Sequence, residues 1–409
     1  MDFIMENFSD RIGGIGFGDN KGAYKFALIK KAKERALALN AGMKLIDLGV
    51  GEPDTPAIPE IVDILSKEAG KPENRFYSDN GIPEFYETAA KYLRKVFKLD
   101  NIEASENLLH GIGSKPIMAM LPAVFINHGD ICLATTPGYP IISTWTKYFG
   151  GEVYNLNLTY DNNFYPDYNG IPDSVLEKAK LLYINYPNNP TGQVATKEFY
   201  ERTVEFAYKN KIAVVSDAAY GALTYDGQEP LSFLSVDGAM DVGVEVFSLS
   251  KAFNMTGWRA AFVAGNSKII EAYGAIKDNT DSGQFRAILK AGIYAMNHPE
   301  ITEETCKKYS RRLDLLVETL KSAGFEAKKP KGSFYCYVKA PKGAGKTVFC
   351  SAQAAAEYLM EKAMISVIPW DDAGACLRFS VTFEAAAREE ERDIMAELRS
   401  RLTGLDLFF

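Results

Sequence analysis

Residues 246–262, VFSLSKAFNMTGWRAAF, hold a single lysine inside a run of small and apolar side chains. Val246 and Phe247 read as a buried strand, Ser248-Leu249-Ser250 as a tight turn, and the segment beyond carries Gly257 and reaches Arg259. A lysine on a solvated helix is ordinary surface. Lys251 instead follows a buried strand, between serines and an arginine, which makes it a candidate for chemistry.

Outward from this stretch, between about residues 46 and 290, short β runs alternate with helical ones. The strand candidates are NLLHGI (107–112), DICLAT (130–135), GEVYNLNL (151–158), KLLYINY (180–186), IAVVSDAAY (212–220) and VEVFSLS (244–250). Helical stretches cover 115–125, 196–210 and 266–279. Such alternation predicts an α/β domain, a mostly parallel sheet covered by helices on both faces. Ligands of these sheets sit beyond the carboxyl ends of the strands. Asn185, Asp217, Ser248 and Ser250 all fall at such ends.

The pattern divides the 409 residues into an arm with part of a smaller domain (1–45), a large domain (46–290) and a smaller α+β domain (291–409). The arm contains a basic amphipathic helix closed by Asn40-Ala41-Gly42, and its Phe3, Ile4, Phe8 and Ile12 suit packing on a partner subunit. The last part reads as a long helix (302–323), a hairpin-like run FEAKKPKGSFYCYVKAP (325–341), a helix (351–363), a strand pair ISVIPW and CLRFSV, and a final helix (385–402). APKGAGK (340–346) lacks the spacing of a phosphate-binding P-loop.

Composition excludes several classes. Net charge is −7, with no basic patch interleaved with aromatics, so nucleic acid is not an expected partner. No stretch approaches the ~18 apolar residues of a membrane span. The three histidines, His110, His128 and His298, lie too far apart for a zinc site or a His-based triad, and no metal is expected. Five cysteines without a CxxC pair, and no secretory signal in MDFIMENFSD, predict reduced thiols and a cytoplasmic location.

Four elements carry the chemistry: GIGSKP (111–116), NYPNNPTG (185–192), SDAAYG (216–221) and SLSKAFNMTGWR (248–259). A phosphate needs N–H groups at a helix start with hydroxyl and cationic donors. Gly113, Ser114 and Lys115 supply the first; Ser248, Ser250 and Arg259 supply the second. A pyridine that acts as an electron sink needs a carboxylate at its nitrogen, and Asp217 fits. Its phenolic oxygen wants neutral donors, and Asn189 and Tyr220 fit. Lys251 offers the amine for an aldehyde, and Tyr139 in TTPGYP offers a ring to stack. Singly, each element has a plainer reading: a helix start, a turn, a cap, a surface lysine. Their order is more telling, with Asp217 placed 28 residues after Asn189 and Lys251 placed 34 residues after Asp217, each at a strand end.

This set, from LIDLGVGEPD (45–54) to LRFSV (377–381), resembles the fold-type I pyridoxal-phosphate aminotransferases of class I/II over nearly the whole length. The resemblance implies an aspartate-aminotransferase-like fold with a central, mostly parallel seven-stranded sheet and a smaller α+β domain. It implies pyridoxal 5′-phosphate as cofactor, an amino acid and a 2-oxo acid as substrates, and a homodimer with shared active sites. Lys251 is then the covalent anchor and proton shuttle, with Asp217 and Tyr220 beside it in the catalytic set. Asp217 meets the ring nitrogen, and Asn189 and Tyr220 meet the phenolate. Ser114, Lys115, Ser248, Ser250 and Arg259 surround the phosphate. Arg378 clamps the substrate carboxylate, with Gly49 and Asn189 nearby. The resemblance is also compatible with a cis Asn189-Pro190 bond.

Several segments resemble the LL-diaminopimelate aminotransferases in particular: GAYKFALIKKAK (22–33), LLYINYPNNPTG (181–192), VSDAAYGALTYDG (215–227), KDNTDSGQF (277–285) and IPWDDAGACLRFSVTF (368–383). This implies reaction of LL-2,6-diaminopimelate with 2-oxoglutarate, giving tetrahydrodipicolinate and glutamate for lysine biosynthesis. It puts Tyr24 and Tyr77 near the substrate, Tyr77 reaching across a dimer interface, with Asn279 as a further substrate-site residue and cross-subunit contact. Many relatives carry tyrosine five residues before the glycine matching Gly81; here Phe76 stands there and Tyr77 follows. A broad aspartate or aromatic aminotransferase, or a carbon–sulfur lyase, would share the same catalytic residues. A non-catalytic regulator is disfavoured by the presence of Lys251, Asp217 and Arg378 together.

Overall fold

The computed structural model describes residues 3–18, 33–36 and 42–409. Tyr24 and most of the expected arm helix lie outside the described residues. Seven strands form the central sheet: β1 (Leu108–Gly111), β2 (Ile131–Thr136), β3 (Glu152–Asn157), β4 (Ala179–Asn185), β5 (Ala213–Ala218), β6 (Gly243–Ser248) and β7 (Ala261–Gly265). Their order is β1-β7-β6-β5-β4-β2-β3. All neighbouring pairs are parallel except those of β7, which runs antiparallel to both β6 and β1.

Six of these strands match the runs read from the sequence. β7 does not; it begins in the tail of the opening stretch and runs on through AAFVAG (260–265), a short apolar run without alternation. A strand buried on both faces loses the period-two signal, which is why such runs are easily passed over. Its direction matters for function. Because β7 folds straight back along β6, Lys251 and Arg259 share one connection at the carboxyl end of β6.

Two apolar layers sandwich the sheet. Leu182, Ile184, Val214 and Phe247 face one core with Phe85, Leu93 and Phe253. Leu181, Tyr183, Val215 and Val246 face the other with Ile117, Leu121 and Ile142. The alternation of neighbouring residues between the two layers is the strand period of two. The Arg286–Asn297 helix, which spans residue 290, packs on the Pro59–Ala69 and Pro83–Phe97 helices beside the first layer.

A separate core unites Leu48, Tyr309, Leu316, Phe334, Leu359, Phe379 and Leu398. It is built on the Glu300–Ser322, Ala352–Ala363 and Arg388–Thr403 helices and on a three-stranded antiparallel sheet. That sheet has β9 (Ile368–Trp370) and β8 (Tyr335–Lys339) on either side of β10 (Cys376–Ser380). The hairpin expected over 325–341 does not form; only β8 is a strand, and its partner is β10. Residues before it go elsewhere: Gly332 bridges Thr224, and the Lys331 carbonyl accepts from Tyr225 N. ISVIPW divides in two, Ile365–Ser366 pairing in parallel with Ile46–Asp47 and β9 pairing with β10. The first pairing delivers the chain at Leu48–Glu52 to the edge of the central cleft.

Candidate active site

A cleft of about 520 Å³ opens at the carboxyl ends of β4, β5 and β6, between the two cores. Gly49, Ser114, Lys115, Tyr139, Asn189, Asp217, Tyr220, Ser248, Ser250, Lys251, Arg259 and Arg378 all line it. Residues separated by more than 300 positions in the chain thus meet at one site.

Lys251 sits on the short Leu249–Ala252 helix that follows β6, and its Nζ donates to the Gly51 carbonyl at 2.8 Å. Burial brings its pKa down to about 8; Glu52 opposes this, while Arg259 and Arg378 add to it. A substantial fraction of the amine is therefore neutral near physiological pH.

Asp217 is the penultimate residue of β5 and is buried. Its Oδ2 accepts from the Tyr183 hydroxyl at 3.1 Å and its Oδ1 from Ala219 N at 3.0 Å. Burial pushes its pKa up to about 6, against the downward pull of those two donors. A buried carboxylate so placed is stabilised by any cation set against it. Tyr183 was missed in the sequence, although it stands two residues before Asn185 on β4 and so shares its face.

Asn185 ties the neighbouring turn together. Its Nδ2 donates to the Asp217 carbonyl at 2.8 Å and its Oδ1 accepts from Asn189 N at 2.9 Å. The Asn189-Pro190 bond is cis, as are Tyr186-Pro187 and Thr136-Pro137. Tyr220 shares a 3.0 Å hydrogen bond with Tyr335, and burial, helped by that neighbour, raises its pKa well above the usual value, so it stays a neutral donor.

Arg378, on β10, is buried against the Tyr335 ring, 4.0 Å from guanidinium to centroid. Nη1 donates to Asn189 Oδ1 at 2.9 Å and Nη2 to the Gly49 carbonyl at 3.0 Å. Its Nε is buried without a partner. A buried charged donor left unmatched costs free energy.

The opposite end of the cleft is a cup of donors. The Ser114–Phe125 helix begins there with no side-chain cap, leaving its first N–H groups free for an anion. Ser248 Oγ accepts from Ser250 N, and Arg259 Nη1 donates to the Thr256 carbonyl at 2.8 Å. Gly113 has φ +87°, and a β-carbon there would overlap the Arg259 guanidinium. A phosphate-sized anion and an aromatic ring with a basic nitrogen thus fit the residues present: a cup of donors, with Asp217, Asn189 and Tyr220 lining the same cleft.

Sequence reasoning also passed over Gly51, Glu52, Thr256 and Tyr335, which line the same cleft. The first two sat in plain view in GEPD; Tyr335 could not be placed while 325–341 read as a hairpin. Two expected residues are not in this chain's own cleft. Tyr77 is 76 % exposed and does not line the cleft. Asn279 ends the Ser267–Asp278 helix, and its Nδ2 donates to the Ala275 carbonyl.

A lysine of lowered pKa and a buried aspartate in one cleft, at the switch from parallel strands to an antiparallel return, mark the fold-type I transferases. Within that class, the chain belongs to the aminotransferase class I and II family, whose model matches residues 43–397. The family is pyridoxal-phosphate-dependent. LL-diaminopimelate aminotransferase of Methanocaldococcus jannaschii is 50% identical over 100% of this chain and 99% of its own length. Its counterpart in Methanococcus maripaludis is 49% identical over 100% of this chain and 99% of its own. Among solved structures, substrate-bound BacF from Bacillus subtilis superposes with TM-score 0.86 at 32% identity, covering 95% of this chain and 96% of that one. An aspartate aminotransferase mutant from Thermus thermophilus superposes with TM-score 0.84 at 25% identity, over 97% and 99%.

Proposed function

We propose that this aminotransferase binds pyridoxal 5′-phosphate in the described cleft and interconverts LL-2,6-diaminopimelate plus 2-oxoglutarate with tetrahydrodipicolinate plus glutamate. The observation that carries the chemistry is the convergence of Lys251, Asp217 and Arg378 on one cleft. The half-identical, full-length relatives support the substrate.

In this reading the cup of Ser114, Lys115, Ser248, Ser250 and Arg259 holds the phosphate, Tyr139 covers the ring, and Asn189 and Tyr220 donate to its phenolic oxygen. When bound, the cofactor supplies an aldehyde for the substrate amine and a ring that stores the electron pair left by the departing α-proton. Asp217 keeps a proton on the ring nitrogen. Its buried carboxylate is held in place by Tyr183 and Ala219 N. Arg378, which lines the cleft, would receive the substrate α-carboxylate and so set the Cα–H toward Lys251. Lys251 Nζ, set at the Gly51 carbonyl, would be the group that takes up and gives back the substrate α-proton. An amine with a pKa of about 8 can do both near neutral pH.

We read the enzyme as a cytoplasmic homodimer. The exposed Tyr77, outside its own cleft, supports a role across the interface, and Asn279 is read the same way. The two separate cores support a large unit of about 46–290 holding the cofactor and a smaller unit of 1–45 and 291–409, with the Arg286–Asn297 helix staying with the large unit past residue 290.

The test is steady-state turnover of the cofactor-loaded protein with LL-diaminopimelate, aspartate and aromatic amino acids as donors to 2-oxoglutarate. Glutamate formation with LL-diaminopimelate far above the others is expected. Strong turnover with aspartate or aromatics and none with LL-diaminopimelate would discard the substrate while keeping the chemistry.

A further inference from the structure

One buried ion cluster outside the cleft is unused by this mechanism. Asp54 and Arg312 side chains are each 1 % exposed and pair at 3.0 Å. Arg312 Nε donates to Glu391 Oε1 at 2.8 Å, and Nη1 also donates to the carbonyls of Val381 (3.0 Å) and Phe383 (2.8 Å). Asp54 Oδ1 accepts from Lys308 Nζ at 2.8 Å and from the Tyr309 hydroxyl at 3.2 Å.

Both chain segments gripped by Arg312 come directly from the site. Residues 48–54 carry the Gly49 carbonyl that receives Arg378 and the Gly51 carbonyl that receives Lys251. Residues 381–383 continue the strand that carries Arg378. The segments are also laced to each other: Ser380 N donates to the Leu48 carbonyl at 2.7 Å, and Thr382 Oγ1 to the Val50 carbonyl at 3.1 Å. Arg312 closes the far end of this clasp, bonding one segment through Asp54 and the other through two carbonyls.

We propose that Arg312 and Asp54 are positioning residues, which set the separation of Arg378 from Lys251 and hence the seat of the substrate carboxylate. A buried ion pair is a poor source of net stability, and in some proteins its use is to specify one geometry. Here the geometry fixed is that of two backbone carbonyls holding the two reacting side chains. The inference rests on Arg378 being the carboxylate clamp.

Three variants of the cofactor-loaded enzyme test it. Asp54→Asn keeps the shape and removes the charge that orients Arg312. It should raise KM for both the amino acid and the oxo acid by about tenfold or more, with a smaller change in kcat and unchanged cofactor affinity. Glu391→Gln strips Arg312 of its other carboxylate but touches neither site segment. It should lower Tm yet leave both KM values as they were. Thr382→Val, which opens the clasp without disturbing a charge, should raise KM in the same sense as Asp54→Asn and serves if that variant does not fold. Equal KM shifts in Asp54→Asn and Glu391→Gln, or unchanged KM values in both Asp54→Asn and Thr382→Val, would overturn the proposal. Arg378→Lys separates the two levels of the argument: if it too leaves KM unchanged, the clamp itself is elsewhere.

Discussion

Arg378 Nη1 donates to Asn189 Oδ1 at 2.9 Å, so a residue of the smaller antiparallel sheet is bonded across the cleft to the turn that follows β4. With Nη1 on Asn189 and Nη2 on the Gly49 carbonyl, the guanidinium plane is fixed before any substrate arrives. Such preorganisation is what lets a bidentate donor act at small entropic cost.

Arg378→Lys keeps the charge and loses that plane. We expect kcat/KM to fall about a hundredfold, or about 3 kcal/mol, for both the amino acid and the oxo acid, mostly through KM. Steady-state kinetics with each substrate varied in turn checks this. A loss confined to one substrate would contradict a clamp for the carboxylate they share.

Gly113→Ala puts a β-carbon into the Arg259 guanidinium at a left-handed backbone position. The cup must then give way, since both the residue and its neighbour are constrained. Cofactor affinity should drop by about tenfold or more, measured as the dissociation constant for pyridoxal phosphate from the apoprotein. Retained affinity would place the phosphate away from Arg259.

The amine of Lys251 is the nucleophile only when neutral. With its pKa lowered to about 8, the rate at which apoprotein captures pyridoxal phosphate should rise with pH and level off above about 8. Glu52 is the neighbour that raises this pKa. Glu52→Gln should therefore move the midpoint to lower pH. A midpoint that stays fixed, or lies near that of an ordinary exposed lysine, would show that the cleft does not tune this amine.

The sequence made most of this site legible because its residues fall at strand ends in a fixed order: Asn189, Asp217 and Lys251 could be read without knowing how the sheet was wound. Tyr335 and the Gly51 carbonyl could not. Their place depends on pairings between distant segments, Ile46–Asp47 with Ile365–Ser366 and β8 with β10, which leave no local periodicity. β7 was obscured for the complementary reason, being apolar on both faces. Tyr77 and Asn279 were read through a resemblance, and on this chain alone they lie at the surface rather than in the cleft.

Glu245, on β6, offers a test of the fold rather than the site. It is buried, accepting from Ser216 Oγ at 2.9 Å, Phe233 N at 3.1 Å and Ser232 Oγ. Burial still pushes its pKa up to about 7 from 4.5. The folded state therefore holds a proton that the unfolded state releases as pH rises from about 4.5 to about 7, and stability falls across that window. The effect is about 3 kcal/mol when complete. Glu245→Gln should flatten this part of the stability profile, measured by denaturant unfolding at a series of pH values, and run parallel to the wild type below about pH 4. An unchanged slope between those limits would mean that Glu245 is charged in the fold throughout.

The most direct test of the account is to find which amine the cofactor occupies. The protein is loaded with pyridoxal phosphate, reduced with borohydride to fix the cofactor to the nitrogen it has condensed with, digested and analysed by mass spectrometry. The account predicts the added mass on the peptide containing Lys251, and its absence from the Lys251→Ala protein. Attachment at Lys115 or at another lysine, with Lys251 unmodified, would contradict it.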